Sequence, residues 1–215
     1  MGENMKIYIL RHGQTEWNRI KRMQGQTDIA LNENGRELAQ KVGETLGKLP
    51  FSRVISSPLQ RAVETARLVL GGRKIPIETD ARIGEISFGD YEGLSMINPD
   101  YPLPDPDFHF FFDAPERYQA PPKGESIKQL IERTGDFLRE LASSEVTMTE
   151  MQREERILLS THGAALRALL ANIEHTDIAN FWRGCVPPNC AVSIVQFRDE
   201  KWKILECDRL YYQGK

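Results

Sequence analysis

Two segments of this chain each join an apolar run to the dipeptide His-Gly. Residues 7–13 read IYILRHG, and residues 157–163 read ILLSTHG. A short, almost continuous apolar run is typical of a strand buried on both faces of a sheet. Because ligands of open α/β sheets bind beyond the carboxyl ends of the strands, both segments are expected to deliver a histidine to one rim.

The rest of the hydrophobic pattern predicts strands that alternate with helices. Strands are expected over 5–10, 54–57, 75–78 and 156–161, helices over 34–49, 61–70, 125–141 and 164–171, and a hairpin over 191–197 and 202–207. Asn32 is the expected cap of the first helix, and Pro58 is expected in the first turn of the second. This alternation predicts an α/β fold, a three-layer α/β/α sandwich with a mostly parallel central sheet.

The length of 215 residues suits a single domain over 1–215. One segment, at about 95–122, is rich in proline, holds six aromatic residues and shows no periodicity. It is too long for a simple connection, so we predict an inserted lid that faces the substrate. The polar segment over 143–155 is predicted to be a solvated extension.

Charge and cysteine content indicate the cellular location and the partners of the protein. The formal net charge is −3, which offers no general attraction to nucleic acid or to an anionic membrane. The apolar run near the N-terminus is too short for a signal peptide or a membrane anchor. Three cysteines without a CxxC pair indicate reduced thiols. We therefore expect a cytoplasmic protein without nucleic-acid or membrane partners, and a homodimer remains open.

Five side chains form one chemical set: His12, His162, Arg11, Arg61 and Glu85, the last in a loop punctuated by glycines. An arginine such as Arg11 is costly at a buried strand end unless it meets an anion. Arg61 belongs to the first turn of its predicted helix and can reach back over the same rim. A solvated surface arginine is the simple alternative for Arg61, and a plain loop carboxylate is the alternative for Glu85.

Local context supports this set. Gly13 is expected to let the backbone approach a ligand closely, and the following turn to offer free N–H groups. His162 and Gly163 open a predicted helix whose N-terminus would lie behind the site. Glu85 lies between Ile83 and Ile86, and apolar surroundings favour the protonated form of a carboxyl group.

The set matches the needs of phosphoryl transfer. Guanidinium groups fit the oxygens of a phosphoryl group, a neutral imidazole can attack phosphorus, and a protonated carboxyl can supply the departing oxygen with a proton. A zinc site of His12, His162 and Glu85 is the alternative, but two arginines beside a dication are unfavourable and no HExxH helix is present. We expect no metal and no cofactor. Nucleotide-binding glycine loops and the GxSxG elbow are also absent from the sequence.

Four ordered motifs resemble the histidine phosphatase superfamily in its phosphoglycerate mutase-like branch. They read LRHGQTEWN, SSPLQRAVETA, GEISFGDYEG and STHG, and the resemblance runs through nearly the whole chain. It implies that His12 is the nucleophile and Glu85 the proton donor. It also implies that Arg11, Arg61, His162 and Gly163 surround the phosphoryl group.

The resemblance extends less closely to three further positions. It implies that Asn18 contacts the phosphoryl group and that Gln24 and Gly25 line the edge of its pocket. The implied reaction has two steps: His12 attacks a phosphate monoester while Glu85 protonates the alcohol, and water activated by Glu85 then hydrolyses phospho-His12.

The acceptor of the phosphoryl group separates several hypotheses. Mutases of the family grip a bisphosphorylated intermediate with basic residues of the inserted segment, whereas 95–122 holds five acidic residues and only Arg117, a net charge of −4. We therefore expect a phosphatase rather than a 2,3-bisphosphoglycerate-dependent mutase. In addition, the motif that follows the acidic residue in these mutases carries a tyrosine at the position of Phe88. A ribazole-phosphate phosphatase and a non-catalytic phosphate-binding module are two further hypotheses.

The FHFFF stretch of the segment bears on the substrate, a small phosphate monoester. It indicates either a leaving group with an apolar part or aromatic residues that pin the lid to the core. The sequence leaves open which of these Phe110, Phe111 and Phe112 do.

Overall fold

The computed structural model describes residues 4–145 and 154–213. Its strands are β1 (Asn4–Arg11), β2 (Arg53–Ser56), β3 (Ile77–Thr79), β4 (Glu154–Thr161), β5 (Val192–Arg198) and β6 (Lys201–Arg209). Its α-helices are α1 (Glu16–Arg19), α2 (Glu33–Leu46), α3 (Gln60–Leu70), α4 (Phe110–Asp113), α5 (Ile127–Glu145) and α6 (Gly163–Glu174). Short 3-10 helices cover Ala81–Ile83, Gly89–Tyr91, Pro106–His109, Pro115–Arg117 and Ile178–Asn180.

The strands form one sheet in the order β3-β2-β4-β1-β5-β6. All neighbouring pairs from β3 to β1 are parallel, and β5 is antiparallel to both β1 and β6. Five strands therefore share a direction, which confirms the mostly parallel sheet. The strand with the proline before it, β3, lies at an edge of the sheet, where a missing backbone N–H is tolerated.

Helices cover both faces of the sheet and confirm the three layers. On one face, Val42 of α2 and Val69 of α3 pack on the sheet. On the other, Phe137 of α5 and Leu169 of α6 do so. These apolar faces follow the helical spacing seen in the sequence. A third apolar cluster joins 95–122 to the first turns of α5 and α6.

The start of α3 differs from the expectation. Pro58 precedes the helix, which begins at Gln60 after Leu59. The first free N–H groups are satisfied from elsewhere: Oδ1 of Asp28 accepts from the backbone N–H of Gln60 at 2.8 Å. A distant carboxylate therefore sets the helix start, so Pro58 is not needed as its first residue.

The polar segment predicted over 143–155 falls partly outside the described residues. Helix α5 continues to Glu145, beyond its predicted end, and β4 already includes Glu155, which is buried. Within the described residues, no helix is both long and apolar enough to cross a membrane.

Candidate active site

The two His-Gly segments meet because β1 and β4 are neighbours. Their register pairs Arg11 with Thr161, so His12 and His162 follow the strands at the same level. The two imidazole rings lie 5.1 Å apart between centroids. The expectation of two histidines at one rim of the sheet is confirmed.

The tautomer of His12 follows from its backbone contact. Its Nδ1 lies 2.7 Å from the carbonyl oxygen of Gly13, and a carbonyl only accepts, so Nδ1 carries the proton. Its Nε2 makes no hydrogen bond to a described residue. Burial lowers the pKa of His12 well below its ordinary value, and the charges of Arg61 and Arg11 lower it further. His12 is therefore neutral, with a free lone pair on Nε2.

Arg11 lines the same cavity as His12 and has an unsatisfied donor. One Nη group donates to the carbonyl of Pro187, whereas the buried Nε has no hydrogen-bond partner within the described residues. Burial lowers the pKa of Arg11, but an arginine stays protonated at neutral pH. A buried N–H without a partner is costly and favours an anion at this place.

Arg61 is fully buried, and its orientation is fixed by three acceptors. It donates to the carbonyls of Thr27 at 2.8 Å and Gly25 at 2.7 Å, and from Nε to Nδ1 of His162 at 3.2 Å. Burial lowers its pKa to about 10, so it remains charged at neutral pH. Of the five N–H donors that a guanidinium carries, two remain for a ligand.

The loop that holds Arg61 depends on Glu92, which sequence reasoning missed. The Glu92 carboxylate accepts from the backbone N–H groups of Gln26 at 2.8 Å and Thr27 at 2.7 Å. Gly25 has a φ of +54°, and a Cβ there would lie 2.0 Å from Oε1 of Glu92. Glycine is therefore required for this turn, which aims the Gly25 carbonyl at Arg61.

His162 lies behind Arg61 rather than in the open cavity. It is fully buried and does not line the cavity. Its Nδ1 accepts from Arg61, so Nε2 carries the proton and donates to the hydroxyl of Ser57 at 2.7 Å. Burial and the Arg61 charge lower the pKa of His162 well below its ordinary value. A direct contact between His162 and a phosphoryl group stays a prediction.

Glu85 occupies the N-terminus of α6. Its Oε1 accepts from the backbone N–H groups of Ile86, Ala164 and Ala165, each at 3.1 Å. Ile83 and Ile86, the apolar neighbours expected around it, are buried in two apolar clusters. Two N–H groups at the N-terminus of α6 therefore bind Glu85.

Asn18 is oriented by the short helix α1, which the sequence pattern did not predict. Thr15 caps this helix, and the Asn18 Oδ1 accepts from the Thr15 backbone N–H at 3.1 Å. This contact fixes the amide so that Nδ2 remains a donor for the cavity. The Oε1 of Gln24 likewise accepts from the Thr15 hydroxyl at 2.9 Å.

Asn189 connects these groups and was also missed. Its Nδ2 lies within hydrogen-bond distance of the carbonyls of His12 (3.1 Å) and Gly13 (3.3 Å) and of Oδ1 of Asn18 (3.2 Å). One amide therefore supports both the nucleophilic histidine and Asn18. In the sequence it only follows two prolines, a pattern typical of a turn.

The role expected for Gly13 was wrong. Gly13 does not line the cavity, and its N–H donates to the Thr65 hydroxyl at 3.0 Å. A Cβ on Gly13 would lie 2.5 Å from the carbonyl oxygen of Gly35 in α2. The close approach that requires glycine is between two chain segments rather than to a ligand.

Most of the predicted site residues share one cavity of about 640 Å³. Eight of them line it: Arg11, His12, Asn18, Gln24, Gly25, Arg61, Glu85 and Gly163. From 95–122, the lining residues are Met96, Ile97, Phe111 and Phe112, all apolar. The aromatic stretch is divided, since Phe108 and Phe111 are buried in the third apolar cluster while Phe112 is only half-buried. Phe110 instead stacks on Arg117.

Comparisons with known proteins show the family to which the chain is similar. A family model described as the histidine phosphatase superfamily (branch 1) matches residues 7–209. A glucosyl-3-phosphoglycerate phosphatase of Mycobacterium tuberculosis is 35% identical over 178 residues, 82% of this chain and 78% of that protein. A metal-independent phosphoserine phosphatase of Arabidopsis thaliana is 32% identical over 205 residues, 94% of this chain and 80% of that protein. The solved structure of YhfR of Bacillus stearothermophilus has a TM-score of 0.83 and 28% identity, with coverages of 97% of this chain and 100% of that one.

Proposed function

This chain belongs to the histidine phosphatase superfamily, branch 1, and we propose that it is a metal-independent phosphomonoesterase that works through phospho-His12. The carrying observation is the neutral His12 with a free Nε2, in a cavity that Arg11, with its unpaired N–H, also lines. A nucleophile with a lone pair and a cation with an unsatisfied donor together fit a phosphate monoester.

In the first step, Nε2 of His12 attacks phosphorus in line, and the bond from phosphorus to the ester oxygen breaks. Arg11 and Arg61 hold the equatorial oxygens, and Asn18 and Gln24 donate from their amides. Glu85 transfers its proton to the leaving alcohol. Oε1 accepts three backbone hydrogen bonds at 3.1 Å, whereas Oε2 accepts only a longer one, from the Ala164 N–H at 3.3 Å, so Oε2 is the oxygen that carries this proton.

In the second step, water attacks phospho-His12 from the side that the alcohol has left. Glu85, now a carboxylate, takes one proton of this water, and the bond between Nε2 and phosphorus breaks. Inorganic phosphate is released, and both His12 and Glu85 return to their initial states. In this scheme His162 orients Arg61 through Nδ1 and donates to Ser57 from Nε2, and the direct contact with a phosphoryl oxygen that the resemblance implies would require Nε2 to leave Ser57.

Water is the favoured acceptor because of the cavity wall. The four lining residues from 95–122 are apolar, whereas a mutase needs cations there to retain a doubly phosphorylated acid. The relatives that are named as phosphatases also support water as the acceptor. Metal independence rests on the two guanidinium groups, which supply the positive charge at the phosphoryl position, and on the relative named as metal-independent.

The proposal includes the cellular location of the protein. Cys185, Cys190 and Cys207 are free thiols, which supports the expected cytoplasmic location. Size-exclusion chromatography with light scattering would decide between a monomer and a homodimer.

Hydrolysis of p-nitrophenyl phosphate by protein dialysed against a chelator tests this function. Full turnover after dialysis is expected, and a His12→Ala variant should lose at least a thousandfold in kcat. Loss of turnover on dialysis, restored by a divalent metal, would contradict metal independence. A transfer between phosphoglycerate isomers that outpaces hydrolysis would favour the mutase instead.

A further inference from the structure

The apolar surface of the described residues is concentrated at one place. Its large exposed hydrophobic side chains are Met96 (41%), Ile97 (71%), Val186 (37%) and Leu205 (40%). The first three line the cavity that holds His12, and only Leu205 lies elsewhere, on strand β6. Isolated exposed hydrophobic residues are ordinary, but three around one opening indicate a binding surface.

Aromatic side chains complete the wall of this opening. We use the term apolar mouth for Trp17, Met96, Ile97, Phe112, Trp182 and Val186, all of which line the cavity. The rings of Phe112 and Trp182 are stacked, with centroids 5.5 Å apart and an interplanar angle of 29°. Trp182 also donates from Nε1 to the carbonyl of Phe111, so this wall is held in place.

The exposure of Ile97 comes from a hydrogen-bonded turn. The hydroxyl of the buried Ser95 donates to the carbonyl of Lys21 at 2.6 Å. It accepts from the backbone N–H groups of Ile97 at 3.3 Å and Asn98 at 3.0 Å. Ile97 therefore stays at the cavity even though its side chain is mostly in water, an arrangement that favours a ligand able to cover it.

The charges near the mouth are few. Arg22 lies between the rings of Trp17 (4.2 Å) and Tyr101 (4.0 Å) and donates to the carbonyl of Gly93. The guanidinium group of Arg22 is therefore already engaged in contacts within the protein. Lys21 is exposed and lines the cavity, and within the described residues it forms no ion pair. An exposed ammonium contributes little to binding, so apolar contact dominates.

We propose that the apolar mouth is a leaving-group subsite that selects phosphate monoesters of apolar alcohols, alkyl or aryl-alkyl, over esters whose alcohol carries a second charge. The inference rests on the proposed phosphatase function, because the mouth is continuous with the cavity of His12. The phosphoryl group would bind between Arg11 and Arg61, and the alcohol would extend past Val186 toward Ile97.

A series of n-alkyl phosphates from propyl to hexyl tests this subsite. The alkoxide leaving groups have nearly the same reactivity, so differences in kcat/KM report binding of the chain. Each methylene group that becomes buried should raise kcat/KM about three- to fourfold. We expect hexyl phosphate to exceed propyl phosphate by at least tenfold, and 2-phenylethyl phosphate to exceed O-phosphoserine by a similar factor.

Three variants, two at the mouth and one control, locate the effect. Ile97→Ser should reduce the hexyl-to-propyl ratio about threefold or more, and Met96→Ser provides a second change on the same wall. Leu205→Ser removes a hydrophobic side chain that is as exposed as Met96 (40% against 41%) but does not line the cavity, and it should leave the ratio unchanged. Equal ratios in all three variants and the wild type would overturn the assignment.

The remaining outcomes separate this inference from the proposed function. A flat alkyl series, or O-phosphoserine hydrolysed faster than hexyl phosphate and slowed selectively by Lys21→Gln, would overturn the apolar subsite while leaving the phosphatase intact. If no ester were hydrolysed, the proposed function would fail. Calorimetric binding of hexylphosphonate and propylphosphonate would then decide the subsite alone, with tighter binding of the longer chain expected and equal binding contradicting it.

Discussion

Nδ1 of His12 donates to the carbonyl oxygen of Gly13 across 2.7 Å. This bond fixes the tautomer and leaves Nε2 as the nucleophilic nitrogen. The same carbonyl also accepts from Asn189, which contacts Asn18 as well. The tautomer of the nucleophile and the orientation of Asn18, a hydrogen-bond donor to the phosphoryl group, are therefore linked through one amide.

Asn189→Asp should lower both stability and turnover. The new carboxylate would face the carbonyls of His12 and Gly13 and the Oδ1 of Asn18, none of which can donate to it. We expect the free energy of unfolding to fall by about 1–3 kcal/mol and kcat to fall at least tenfold. Urea unfolding and steady-state kinetics measure both. Asn180→Asp, at an exposed position, is the control; equal behaviour of the two variants would contradict the role of Asn189.

Arg61→Lys should be strongly disruptive although the positive charge is kept. A lysine has no planar fork to reach Gly25, Thr27 and His162 together. Unsatisfied buried acceptors should cost about 2–4 kcal/mol in unfolding free energy, and kcat/KM should fall at least a hundredfold. Arg67→Lys, on an exposed position of the same helix, should change neither. Near-normal activity of the Arg61 variant would show that the charge alone suffices.

Glu85→Gln should affect substrates according to their leaving groups. An alkyl alcohol needs a proton as it departs, whereas p-nitrophenolate departs without one. We expect kcat/KM for propyl phosphate to fall about 10²–10⁴-fold and that for p-nitrophenyl phosphate much less. The ratio of the two losses is the readout. Equal losses would contradict the role of Glu85 as general acid.

Stability should decline as the pH falls below about 6.5 because two buried histidines resist protonation. The pKa values of His12 and His162 are well below their ordinary value in the folded protein, mainly because of burial. The unfolded chain therefore binds more protons below pH 6.5, and unfolding becomes easier there. Each histidine should contribute a loss of about 1.4 kcal/mol at pH 5.5.

Urea unfolding at several pH values measures this dependence. His162→Gln should make the unfolding free energy less dependent on pH between 7.5 and 5.5. His109→Gln, at a partly exposed position outside the site, should leave the dependence as in the wild type. An unchanged slope in the His162 variant would contradict the account.

The sequence predicted the scaffold well because periodicity and strand ends are local signals. Apolar runs identified β1 and β4, and parallel pairing then placed His12 beside His162. Contacts between distant segments left no such signal. Asp28 accepts a hydrogen bond at the start of α3, and the backbone of Gly35 leaves no room for a side chain at position 13. Ser57 and Asn189 contact His162 and His12. Each of these residues is an ordinary polar or small residue in the chain.

The surroundings of Glu85 were likewise not predictable from the sequence. Its neighbours in sequence are apolar, but its neighbours in space are the N–H groups of Ala164 and Ala165, about eighty positions away. In the aromatic stretch, helix α4 (Phe110–Asp113) places both Phe111 and Phe112 at the cavity but buries only Phe111. Composition alone could not predict this difference in burial.

The central claim is the covalent intermediate on His12, and trapping it is the most direct test. Glu85→Gln should still release p-nitrophenolate but should hydrolyse the intermediate slowly, so mixing with p-nitrophenyl phosphate should give a burst of about one nitrophenolate per active site. Peptide mass spectrometry after an alkaline quench should then find the phosphoryl group on His12. A phosphoryl group on another residue, or turnover with neither burst nor labelled His12, would contradict the account.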